Sequence, residues 1–293
     1  MKDMKKRISF LLLISYLTLS LISCGRSIEK ADADGMTVVA TARSIASLWL
    51  LAGGELAGAT EDSMDLSGLN EGCVSIGTPG SPNIEAIIGL NPDLVLLSAD
   101  IPTQKKAKAA LEEAGVNCQA IDINSFEDYD DAMKEFTRTT GRADLYEADV
   151  TQVKTAIDEV TSEVPEEIKG KNFLLIKASG EKTKALKNDN FVSAILMDLG
   201  MENVVRDDSK LDSLSIEWIT EADPDYIFVI PMGDNDEAKA AFESAFTTQP
   251  AWSALSAVES GRCFFLDKEL FEYKPNNHWA EAYDQLLGMA IGD

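Results

Sequence analysis

Two stretches of the chain share one pattern of apolar and polar positions. IEAIIGLNPDLVLL occupies 84–97, and IEWITEADPDYIFV occupies 216–229, 132 positions later. Each has a glutamate one place after its first isoleucine, then an apolar pair, then X-Pro-Asp and an apolar run. Proline cannot continue a helix and pushes the residue before it towards extended geometry, so Asn91-Pro92 and Asp223-Pro224 mark helix-to-strand boundaries. The runs behind them suit strands covered on both faces of a parallel sheet. Asn83 and Ser215 stand where N-caps belong, which puts Glu85 and Glu217 in the first turns. One unit used twice predicts two similar lobes. The competing reading is coincidence, because X-Pro-Asp before a strand is common in α/β chains.

The remaining pattern fits. In the first half, strand-like runs at 36–41, 56–59, 74–77, 94–98 and 119–123 alternate with helical spacing at 44–52 and 103–114. Residues 126–140 and 142–164 are both helical by pattern. In the latter, Leu145, Val150, Val153, Ile157, Val160 and Val164 recur at mostly three- or four-residue steps between Gly141 and Pro165. At ~1.5 Å per residue that makes a rod of roughly 35 Å. It either bridges two lobes or is a crossover helix within one domain, and the strand pattern that resumes after Gly170 favours the bridge. The second half predicts strands at 172–177, 226–230 and 263–266, a polar loop at 178–190, and helices at 191–199 and 280–290. The fold class is α/β: two Rossmann-like lobes, 36–141 and 165–293, joined by one long helix over 142–164, with a ligand cleft between them.

The N-terminus fixes an address. Lys2, Lys5, Lys6 and Arg7 precede an apolar run over 8–22, which is 15 residues against the ~20 that span a bilayer. Residues 1–23 therefore read as a signal peptide. Leu21-Ile22-Ser23-Cys24 resembles the bacterial lipobox, which implies cleavage before Cys24 and lipidation of its sulfur, with 24–35 as a polar tether. The expected body is extracytoplasmic and held at the membrane by its lipid alone.

Charge and cysteines narrow the classes further. The first 23 residues carry four bases and one acid, so the chain from Cys24 onward carries −27 against −24 for the whole. That surface repels nucleic acid. It serves either solubility or a cationic ligand. Cys73, Cys118 and Cys263 form no CxxC pair and no even set, so neither a zinc site nor a disulfide framework is expected. Gly53, Gly54 and Gly58 do not fit GxGxxG, and the 77–80 loop lacks a Walker lysine, which argues against nucleotide. A single histidine, with no GxSxG and no HExxH, leaves an anchored hydrolase little support and makes a bare zinc or manganese site improbable. A structural surface adhesin is the remaining other class.

The lipobox, SPNIEAIIGLNPDLVLL, the long helix, SLSIEWITEADPDYIFVI and PAWSALSAVESGRCFFLD together resemble a substrate-binding lipoprotein of an ABC importer. The resemblance is to the helical-backbone kind that serves ferric siderophores, haem and cobalamin. It implies a monomeric binding protein, not an enzyme, that passes a metal chelate to permease subunits. The siderophore, haem and cobalamin alternatives stay open. It also implies that Glu85 and Glu217 dock onto permease arginines; the alternative is that each only complements its helix dipole. The cleft belongs where loops leave the C-terminal ends of strands. That names Arg43, Ser44, Thr78, Pro79, Ser98 and Ala99 from the first lobe, and Lys177, Met232, Tyr273, His278 and Trp279 from the second. Arg43 and Lys177 pair either with ligand anions or in salt bridges. Tyr273 and Trp279 either stack on a flat ligand or cover the core. His278 is either an axial ligand, with Tyr273 as rival, or an ordinary polar residue.

Overall fold

A computed structural model describes residues 35–205 and 215–292. The signal peptide, Cys24 and all but the last residue of the tether lie outside the described residues. In chain order the first lobe runs β1 (Val38–Ala40), α1 (Arg43–Leu51), β2 (Gly58–Ala59), β3 (Val74–Ser75) and a short hairpin of β4 (Gly77–Thr78) with β5 (Ser81–Pro82). Then come α2 (Ile84–Gly89), β6 (Leu94–Ser98), α3 (Pro102–Glu113) and β7 (Cys118–Ile121). Its sheet is ordered β3-β2-β1-β6-β7 with every pair parallel. Helix α4 (Phe126–Thr140) ends at Gly141 in the left-handed conformation. Helix α5 (Ala143–Tyr146) then runs through a π turn (Glu147–Thr151) into α6 (Gln152–Ser162) without leaving helical geometry.

The second lobe starts with β8 (Asn172–Ala178), β9 (Thr183–Ala185), α7 (Phe191–Asp198) and β10 (Glu202–Asn203). It continues with α8 (Ile216–Ala222), β11 (Tyr226–Pro231), α9 (Asn235–Phe242), α10 (Pro250–Ser253) and α11 (Ser256–Glu259). Strand β12 (Cys263–Phe265), α12 (Lys268–Phe271) and α13 (Trp279–Ile291) close the chain. The second sheet is ordered β10-β8-β11-β12, all parallel, with β9 antiparallel on β8. Strands β6 and β11, the two that follow X-Pro-Asp, therefore lie in different sheets.

Several details depart from the sequence reading. The 178–190 segment is not all loop: β9 folds back on β8. Residues 77–82 form a hairpin instead of an open loop, and Gly77 (φ +92°) allows its tight entry. Asn91 and Asp223 are left-handed (φ 48° and 36°), not extended as expected of residues before proline. Proline penalises the right-handed helical region, and asparagine and aspartate tolerate the left-handed one, so each chain reverses sharply out of its helix here. The two copies match in finer detail still. Asn83 and Ser215 cap their helices through Ala86 N and Trp218 N. Asp93 Oδ2 accepts from Thr37 N at 2.8 Å, and Asp225 Oδ2 accepts from Asn172 N at 3.0 Å. Each aspartate thus satisfies a backbone N–H at the start of the neighbouring strand. Helices α1 and α7 also echo one another, ending in the same cap geometry before Gly53 (φ +82°) and Gly200 (φ +85°).

Alternate strand residues feed different layers. Val39, Val95 and Leu97 pack outward under α2 and α3, and Leu174, Ile176, Ile227 and Val229 pack outward in the second lobe. Val38, Ala40, Leu96, Phe173, Leu175, Tyr226 and Phe228 all enter one inner core that both lobes share. Trp279, fully buried at the start of α13, sits edge-on to Phe126 and Phe191 and tilted against Tyr129. One indole therefore packs on both lobes at once. The PAWSALSAVESGR segment is structural here: Trp252, Leu255 and Ala257 are buried, Gly261 is left-handed, and Arg262 lies 5.0 Å from the Tyr226 ring. Cys73, Cys118 and Cys263 are free thiols, and burial pushes all three up, Cys263 to about 11.

Candidate functional site

The loops at the C-terminal end of the first sheet are drawn together by one side chain. Gln104, buried in the first turn of α3, accepts at Oε1 from the Thr41 hydroxyl (2.6 Å) and Ser98 N (2.7 Å). Its Nε2 donates to the carbonyls of Thr41 (2.7 Å) and Pro79 (3.0 Å). Strand β1 stops at Ala40, so Gln104 continues the ladder where the strand can no longer do so. The ends of β1 and β6 and the hairpin thereby become one lip.

Opposite this lip stands the 272–278 loop of the second lobe. Lys274 reaches across to Asp100 Oδ2 at 2.7 Å, donates to the carbonyl of Ile123, and lies 5.2 Å from the Phe191 ring. Asp122 stands close by, its carboxyl held above the usual range by desolvation and then by Asp100. Lys177, on β8, faces this seam; burial lowers its pKa, and Glu272 opposes that shift. Glu272 takes Gly233 N at Oε1 (3.2 Å), while its buried Oε2 has no hydrogen bond and lies 3.4 Å from Lys268 Nζ. Half-buried Met232, just past β11, donates its N–H to Ala178 O at 2.7 Å.

Beside the seam opens a groove of roughly 920 Å³ between α1, the π turn, the 266–278 loop and the face of α13. Arg43, Ser44, Tyr273 and His278 line it, as do Asp149, Glu269, Asn276 and Glu281. Arg43 is held by Asp65 and by the carbonyl of Asp62, with its guanidinium 5.4 Å from the centre of the Tyr273 ring. The hydrogen bond from Arg43 holds the Asp65 carboxyl below the ordinary range. Exposed His278 lies 3.0 Å from Glu281 Oε2. Asn277 donates to Asp149 Oδ1 at 3.2 Å.

The residues expected at the cleft thus separate. Arg43, Ser44, Tyr273 and His278 come together in the groove. Pro79 and Ser98 meet at the lip through Gln104, with exposed Thr78 beside them and Ala99 donating its N–H to Ile121 O at 2.8 Å. Lys177 and Met232 flank the closed seam. Trp279 lies in the shared core with no exposed surface, so it cannot stack on a ligand in this structure. Glu85 and Glu217 stand exposed in the first turns of α2 and α8, away from the groove lining. Sequence reasoning missed Gln104, Asp100, Lys274 and Asn276. Only Gln104 carried a signal: it is in phase with Ala107 and Leu111 on the apolar face of α3. Among the described residues no group of three or more His, Cys, Asp or Glu side chains is placed to hold a metal ion, and no helix is long and apolar enough to cross a membrane.

Comparison with known proteins agrees with this architecture. The sequence profile of the family described as periplasmic binding protein matches residues 38–270. The Fe(3+)-citrate-binding protein YfmC of Bacillus subtilis is 26% identical over 199 residues, 67% of this chain but only 60% of the relative's length. The high-affinity heme uptake system protein IsdE of Staphylococcus aureus strain MRSA252 is 22% identical over 74% of each chain. Among solved structures, S. aureus IsdE complexed with heme superposes with a TM-score of 0.76 at 18% identity, covering 87% of this chain and 98% of that one. An ABC transporter substrate-binding protein from Listeria monocytogenes gives 0.74 at 23% identity, covering 88% and 99%. Two parallel-sheet lobes on a shared core, a groove at their junction and a profile match across both lobes lead to one conclusion: the chain belongs to the periplasmic binding protein family.

Proposed function

We propose that this protein captures a metal chelate outside the cytoplasmic membrane and delivers it to an ABC permease, held to the membrane by a lipid on Cys24. The division of labour is a first lobe over 36–141, a connecting helix over 142–164 and a second lobe over 165–293. The observation that carries the reading is the placement of Glu85 and Glu217. They occupy equivalent positions on two duplicated units, both exposed, while the groove opens at the lobe junction. Carboxylates on two rigid bodies steer and register a complex with a basic surface. The named ligands of the relatives, ferric citrate and haem, set the class of cargo to be tested. The role is binding, not turnover.

The test has two arms. Protein purified from its own host is examined by absorption and native mass spectrometry, then titrated with ferric chelates, haem and cobalamin; failure to bind any of them refutes the reading. Charge reversal at both Glu85 and Glu217 is expected to leave chelate affinity unchanged and abolish uptake by whole cells. Normal uptake in the double variant removes their docking role.

A further inference from the structure

We infer that the groove selects a neutral or cationic chelate whose rim presents N–H or ammonium donors, and that it discriminates against polyanionic chelates. The inference rests on the carrier reading above and concerns the charge of the cargo.

The groove's cations are already committed. Arg43 is paired with Asp65, Arg142 with Asp144 at 2.7 Å, and Lys274 with Asp100 at 2.7 Å. At each of them an anionic ligand meets a cation whose charge a carboxylate of the protein already offsets. The acceptors are differently placed. Asp149, Asp267, Glu269 and Glu281 all line the groove, and Glu269 forms no ion pair among the described residues. Its field reaches Arg43. The second observation is independent of this acidity. Asn276, only 6% exposed and lining the same groove, has a side-chain oxygen with no hydrogen-bond partner, while its nitrogen is turned towards Ser44 O at 3.4 Å. A buried acceptor without a donor is costly, and a donor on the ligand relieves that cost on binding. Lys177 does not reverse the balance: it lies behind the seam, off the groove lining, opposite Glu272. The −27 of the body adds a long-range field of the same sign.

The experiment titrates the chain from Cys24 onward with the ferric complex of desferrioxamine B, a cationic trishydroxamate with a free ammonium, and with ferric citrate, haem and cyanocobalamin. The cationic complex is expected to bind at least about tenfold tighter than ferric citrate, and to weaken as salt rises. Glu269→Gln and Asp149→Asn are each expected to weaken it about fivefold, the size of a partly exposed charge contact, and to leave ferric citrate unchanged or tighter. Equal or tighter binding of ferric citrate overturns the inference while the carrier reading stands, as does binding of haem alone; preference for cyanocobalamin, neutral and rimmed with amide N–H donors, over ferric citrate supports it. Binding of none of the four removes the carrier reading itself.

Discussion

Replacing Gln104 tests whether the lip is built as described. Leucine has nearly the same size and removes all four hydrogen bonds of the amide. The Thr41 hydroxyl keeps a partner in Leu96 O at 3.2 Å, but Ser98 N and the Thr41 carbonyl are left buried without one. The Pro79 carbonyl, on a half-buried residue, partly recovers water. An orphaned buried polar group costs about 1–3 kcal/mol, so the two together cost about 2–6 kcal/mol. For a chain of this size that corresponds to a fall in Tm of about 10 °C. The assay is urea denaturation followed by tryptophan fluorescence, with calorimetry for Tm and an unchanged m-value as the sign that only stability moved. A loss under about 1 kcal/mol refutes the argument, because even one orphaned buried group costs that much.

Gln104→Glu sharpens the same test through pH. The carboxylate still accepts from Ser98 N and the Thr41 hydroxyl, but it now faces the carbonyl oxygens of Thr41 and Pro79 with no proton to give. Burial and those oxygens raise its pKa in the folded state. A raised folded pKa contributes stability that is fully present below the unfolded value of about 4.3 and is lost as pH rises through the folded one. The variant is therefore expected to approach the parent in acid and to be weakest at neutral pH. A deficit that grows on acidification contradicts this placement.

Three further perturbations probe the lobe junction. Trp279→Ala is expected to cost about 3–5 kcal/mol in urea melts. Trp279→Phe should cost far less, because the indole nitrogen has no partner to lose; equal losses would show that the ring does not join the lobes as described. Lys274→Met strands Asp100 beside Asp122 and is expected to cost about 1–3 kcal/mol, with part recovered in the Lys274→Met/Asp100→Asn double variant. Full additivity in that cycle removes the cross-seam pair. Asp65→Asn frees Arg43 and is expected to tighten ferric citrate about fivefold in titration. The depressed folded pKa of Asp65 contributes stability present above its unfolded value and lost as pH falls through the folded one, so the variant should also show a flatter acid limb in the same melts.

Much of the architecture was legible because it rests on periodicity. Helix α4 runs over the residues that its pattern marks, and the Leu94–Ser98 strand does too, since unbroken apolar runs between turn residues leave few alternatives. Strand β9 was hidden because Thr183, Lys184 and Ala185 carry no apolar alternation; only pairing with β8 makes them a strand. The left-handed residues before Pro92 and Pro224 were hidden because the pre-proline rule speaks of right-handed helix and strand alone. At the site, the rule that loops follow strand ends located Arg43 and Ser44 but could not show which cations the protein itself neutralises. Trp279 illustrates the limit from the other side. Its neighbours His278 and Asn277 reach the groove, and one residue further along the turn points into the core.

The duplicated unit shows which of its residues the fold explains. Asn83 and Ser215 cap, the prolines end the helices, and Asp93 and Asp225 each take an N–H at the start of an adjacent strand. The apolar pairs bury Ile87 and Ile219. Every matched position then has a folding reason except the glutamates. Neither Glu85 nor Glu217 forms an ion pair or a side-chain hydrogen bond among the described residues, and both face water. A first-turn carboxylate gains a few tenths of a kcal/mol from the helix dipole, but aspartate would gain it as well, and helices this short have little dipole to complement. What the packing leaves unaccounted for in both copies is a long acidic arm held at a fixed place on each lobe. That is the geometry a two-point contact with a basic partner requires, and it is why the docking role we propose falls to the glutamates and not to the capping or strand-closing residues.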